Sequence, residues 1–127
     1  MKLFKIKSVY AHCDLPCGVY DPEQARIEAL SIKAIMEKYD GLDSYNQTRA
    51  IIIKEQRAEL VKQHLMILWA DYFKPAHLEN FPELHDLIWR TIKQASLCKS
   101  HQNVEEADKL LELIDQISEI FQKTKQA

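Results

Sequence analysis

The chain predicts an all-α fold: an antiparallel up-down four-helix bundle preceded by an N-terminal hook. Three observations lead there. With two glycines and four prolines in 127 residues, there is little material for the many turns of an all-β fold. Apolar residues recur at helical spacing in four long stretches separated by short polar connections. The segment from Ala11 to Pro22 crowds two cysteines and a histidine around Pro16 and Gly18, a combination that a regular helix does not accept.

The first helix is expected over Pro22–Tyr39. Asp21 can cap it, Pro22 suits the first helical position, and Glu23 suits the positive end of the helix dipole. Ile27, Leu30, Ala34 and Ile35 are its expected apolar face, and Gly41 marks its end. The second is long, Ser44–Phe73, and ends at Lys74-Pro75 because the residue before a proline avoids the helical region. Its expected stripe is Ile53, Leu60, Leu68 and Tyr72, widened by Val61 and Leu65. Arg57 falls on that stripe, and a charge on a core face needs a partner; Glu28 is the candidate. The rest of the run Lys54-Glu55-Gln56 reads as a solvated face.

The third helix is expected from a cap near Asn80, with Leu84, Leu87, Ile88, Ile92 and Ala95 turned inward. Cys98 continues that face as a small buried hydrophobe. After the polar stretch Lys99–Asn103, the fourth helix runs from Val104 to Lys123 on Ala107, Leu110, Leu111, Ile114, Ile117 and Phe121.

Size and charge narrow the function. The length fits one domain, with 46% apolar residues to build a core. A net charge of −2 argues against a nucleic-acid binder. No apolar run approaches the roughly 18 residues needed to span a membrane. Three cysteines are not a disulfide framework, and their placement suits a reducing compartment and a metal or redox role. Met1–Ala11 carries Lys2, Lys5 and Lys7 but no apolar core of export-signal length, so it reads as a short leader; small Ala11 is compatible with cleavage before His12. This divides the chain into a leader, 1–11, and a domain, 12–127, whose hook is 12–20.

Function must come from the hook, because helical periodicity alone defines no chemistry. Thiols and an imidazole suit a soft or redox-active metal, not magnesium or calcium. On these residues alone zinc and a thiol–disulfide pair stay open. A structural zinc site, however, wants four ligands, and the cysteines are not spaced C-x-x-C.

The run His12-Cys13-Asp14-Leu15-Pro16-Cys17-Gly18-Val19-Tyr20 resembles the nickel hook of the nickel superoxide dismutase family, H-C-x-x-P-C-G-x-Y. The likeness continues through Gln24–Glu28, Gln47–Ala50, Ile53–Leu60, Trp69–Pro75 and Pro82–His85. It implies a nickel-dependent superoxide dismutase with one nickel ion per subunit. The implied ligands are the free amine and imidazole of His12, the amide nitrogen and thiolate of Cys13, and the thiolate of Cys17. In the family the bond matching Leu15–Pro16 is cis. The resemblance further implies that Glu28 accepts a hydrogen bond from His12 with Arg57 behind it. It also implies that Tyr20 and Asp14 line the approach of superoxide, and that Lys74 helps draw in the anion. A homohexamer, a peptidase that removes the leader, and a cytoplasmic location complete the expectation. The competing reading is a non-enzymatic helical bundle that binds a metal or a partner through its N-terminal arm.

Overall fold

The structure, a computed structural model, describes residues 18–126. Four long helices form its frame: α1 (Glu23–Lys38), α2 (Ser44–Ile67), α4 (Leu84–Ser100) and α5 (Val104–Gln126), with a short α3 (Pro75–Asn80) between the second and third of them. Each long helix packs on two others, α1 on α2, α2 on α4, α4 on α5 and α5 back on α1, which closes the bundle. The expected fold class holds, and no strand occurs among the described residues.

The helix boundaries follow from local chemistry. Asp21 Oδ1 accepts the Glu23 N–H at 2.9 Å, so the cap expected there is present. Asp43 accepts the Asn46 N–H at 2.8 Å and starts α2 at Ser44, as expected. Two features were not anticipated. The last turn of the second helical stretch, Leu68–Tyr72, is a π turn, closed by the Phe73 N–H donating to the Leu68 carbonyl at 2.9 Å. Lys74-Pro75 then ends one helix and begins another. Pro75 occupies the first position of α3, where its missing N–H costs nothing, and Asn80 closes α3 instead of capping the helix after it.

The core also corrects the expected faces. α1 turns Ala25, Ala29, Ile32 and Met36 inward, while Ile27 and Leu30 are 52% and 40% exposed. On α2 the buried row is Ala50, Lys54, Ala58, Val61 and Leu65, one step round from the expected Ile53–Leu60 line. Buried alanines at 25, 29, 58 and 107 let the backbones approach closely, which a choice of the largest apolar residues overlooks. The faces of α4 and α5 match expectation more nearly. α4 adds Thr91 and Gln94, and α5 adds Leu113 and Ile120, with Ile92 and Leu111 only partly buried.

Lys54 is not solvated. It is 1% exposed, and its Nζ donates to the His101 carbonyl where α4 hands over to α5. Burial pulls its pKa below the ordinary lysine value, against the pull of Cys98 and Glu55 in the other direction. Cys98 is fully buried, as expected, and burial pushes its thiol up to about 11, with nearby Glu106 acting the same way.

Candidate metal centre

Gly18 begins the described chain at φ +59°, a left-handed conformation that glycine adopts without penalty. It lets the backbone turn sharply between Cys17 and the bundle. His12, Cys13, Asp14, Pro16 and Cys17 lie outside the described residues, as does the leader. Among the described residues no cluster of three histidine, cysteine or acidic side chains could hold a metal ion. The donors that the sequence offers, two thiols, a backbone amide at Cys13, one imidazole and, if the chain is cut before His12, one amine, fit a nickel ion. They supply the electron-rich sulfur and nitrogen that a higher oxidation state needs.

The chain leaves the hook through Tyr20, which is buried on the bundle. Its ring lies 5.5 Å from that of Tyr72, on the π turn. A narrow crevice beside it is lined by Tyr20, Asp21 and Gln24 on one side and by His64, Ile67 and Leu68 on the other. The end of α2, the π turn and the start of α1 therefore surround Tyr20, close to where the described residues begin.

One turn into α1, Glu28 Oε2 accepts from Arg57 Nη1 at 3.0 Å. The pairing expected from the sequence is present, though for a different reason. Arg57 stands at the edge of the core, its side chain 41% exposed, while Glu28 is the shielded partner at 15%. The structure thus pairs Glu28 of α1 with Arg57 of α2, while Tyr20 lies in the segment that leads into α1. Lys74 is exposed, two residues beyond Tyr72, where its backbone N–H donates to His77 Nδ1 at 3.0 Å.

Sequence reasoning missed what surrounds Tyr72. Its ring stacks on His77 with centroids 5.7 Å apart and packs 4.6 Å from Phe121, and its hydroxyl lies 2.7 Å from Thr124 Oγ1. Thr124 lies in the last turn of α5 and His77 in an unforeseen short helix, so no motif flagged them. Only helix-end geometry could have done so.

A closed helical bundle whose sequence carries a donor-rich N-terminal segment defines the class of small helical metalloproteins. The nickel-containing superoxide dismutase family model matches residues 7–125. The chain is 56% identical to the nickel superoxide dismutase of Streptomyces coelicolor, over 99% of this chain and 98% of that protein. It is also 56% identical to that of Streptomyces seoulensis, over 97% and 94% respectively. A solved native nickel superoxide dismutase superposes with a TM-score of 0.88 at 56% identity, covering 91% of this chain and all of the other. The chain belongs to the nickel-containing superoxide dismutase family.

Proposed function

We propose that this chain is a superoxide dismutase that works with one nickel ion per subunit, bound by the hook. The observation that carries this reading is the complete His12–Tyr20 motif in a chain 56% identical, nearly end to end, to a nickel superoxide dismutase. The net reaction takes two superoxide ions and two protons to one dioxygen and one hydrogen peroxide. Bound nickel supplies the one-electron couple for that exchange.

The protein's own groups have separable tasks. The amine and imidazole of His12, the amide nitrogen and thiolate of Cys13, and the thiolate of Cys17 would hold the ion. Glu28 would orient the His12 imidazole by accepting from its other ring nitrogen, and Arg57 holds that carboxylate in place. Tyr20 and Asp14 would line the approach, and Lys74 would add positive charge that favours capture of an anion. Pro16 would turn the chain back so that Cys17 reaches the ion.

In the uncut chain the His12 nitrogen is an amide, so a peptidase that cuts after Ala11 completes the ligand set. Supporting this, solved relatives are matched over their full length by 91% of this chain, whereas the curated relative matches 99% of it. The difference is about the share that an eleven-residue leader would take. Exposed Ile27, Leu30, Ile51 and Ile52 support burial between subunits, as a homohexamer would provide. The cytoplasmic location rests on the leader, which has no apolar core of export-signal length; among the described residues no helix is long and apolar enough to cross a membrane.

The test combines N-terminal sequencing, elemental analysis and a dismutase assay on protein from its native cell. The expected result is His12 as the first residue, one nickel per chain, and activity lost in Cys13→Ser and Cys17→Ser with helix content retained. An intact Met1 end carrying zinc, without dismutase activity, overturns the reading.

A further inference from the structure

Tyr72 is held from several sides, and the direction of its hydroxyl can be read from its neighbours. A threonine hydroxyl has one proton to give. Thr124 gives it to the Phe121 carbonyl, 2.6 Å away. Thr124 Oγ1 is therefore an acceptor toward Tyr72, and the Tyr72 phenol is the donor across the 2.7 Å contact. That commits the phenol proton to the last turn of α5. On the opposite flank, His77 Nδ1 accepts the Lys74 N–H, so the neutral imidazole carries its proton on Nε2 while its face stacks on Tyr72. Tyr72 in turn packs against Tyr20.

We propose that Thr124 is a positioning residue for the dismutase reaction, acting through Tyr72 on Tyr20. By accepting the Tyr72 proton it fixes the Tyr72 ring, which sets the tilt of the Tyr20 ring at the mouth of the hook. It ties the C-terminal turn of α5, distant in sequence from the hook, to the substrate approach. The catalytic consequence rests on the function proposed above; the ring geometry does not.

The experiment uses Thr124→Val, which keeps the shape and removes the acceptor, and Thr124→Ser, which restores it. Ring-labelled tyrosine NMR of the nickel-free protein reads Tyr20 and Tyr72 directly, assigned with Tyr20→Phe and Tyr72→Phe. Thr124→Val should shift both ring resonances and Thr124→Ser should return them. In nickel-loaded protein, kcat/KM should fall about fivefold in Thr124→Val at unchanged nickel content. Tyr72→Phe should move Tyr20 in the same direction, with no additional shift in the double variant. Unshifted Tyr20 in both Thr124→Val and Tyr72→Phe overturns the proposal, as does a loss that Thr124→Ser fails to restore. Were the wild-type protein to bind nickel without dismuting superoxide, the function would fall while the resonance comparison still decided the clamp.

Discussion

Replacing Arg57 by methionine tests the link between bundle and hook most directly. The change keeps much of the aliphatic stem and removes the guanidinium that sits 3.0 Å from Glu28. An exposed ion pair is worth about 0.2–1 kcal/mol, and stripping one partner from a fully buried pair costs about 3–5 kcal/mol. Here the arginine is 41% exposed and the carboxylate 15%, so the loss belongs between these limits. About 1–2 kcal/mol is expected, nearer the exposed limit because water can reach the vacated side. A double-mutant cycle with Glu28→Gln should isolate a coupling of about 1 kcal/mol. Urea denaturation of the four nickel-free proteins measures it. If Glu28 orients His12, turnover per bound nickel should also fall in Arg57→Met while nickel content stays at one per chain. The α1–α5 pair Arg26–Asp115, of equal 3.0 Å length, is the control: its cycle should change stability little and turnover not at all. Coupling below about 0.3 kcal/mol together with unchanged turnover would refute the bracing role of Arg57.

Three further outcomes follow from the described residues. Cys98 should resist thiol reagents in the folded protein and react only on unfolding. Its raised pKa means that the folded state holds the thiol proton more tightly. Its stabilising contribution is therefore full below pH 9 and lost as pH rises toward about 11. Relative to Cys98→Ala, wild-type stability should decline by about 2–3 kcal/mol across that window, read from urea midpoints at each pH. Gly18→Ala meets no atom of the described residues within 4 Å of the added Cβ, so the cost expected is that of backbone strain, about 1–2 kcal/mol. Nickel titration should show roughly tenfold weaker binding for it, with Gly18→Asn less affected. Lys54→Met should lower stability by about 1–3 kcal/mol despite adding apolar surface, because the His101 carbonyl loses its donor. Thermal unfolding checks the cost, and turnover per nickel should be unchanged.

The helix punctuation was legible because it is written in residue identity. Asp21 marks the start of the first helix, and Lys74-Pro75 marks the end of the second helical stretch. What stayed hidden depends on which neighbour a helix meets. Ile27 and Leu30 looked like core on hydrophobicity, yet α1 packs through Ala25 and Ala29, whose small size becomes an advantage only when another backbone lies close. Lys54 looked solvated because its partner is a main-chain oxygen some fifty residues away, and main-chain oxygens carry no sequence signal. Arg57–Glu28 was found on a stripe that is itself one position off. The pair survived because α1 and α2 are adjacent and the two charges lie at their shared rim. The π turn had no forerunner in the pattern at all.

That turn has a consequence for how Tyr72 is aimed at Tyr20. A single additional residue in a helix rotates everything downstream by about 100°. Leu68–Tyr72 carries this offset, with its ladder bond reaching from Phe73 back to Leu68. Shortening the segment by one residue, so that regular winding resumed, would swing the phenol at 72 around the axis and out of its 5.5 Å contact with the ring at 20. The irregularity thus works as an angular adjustment built into an otherwise uniform rod.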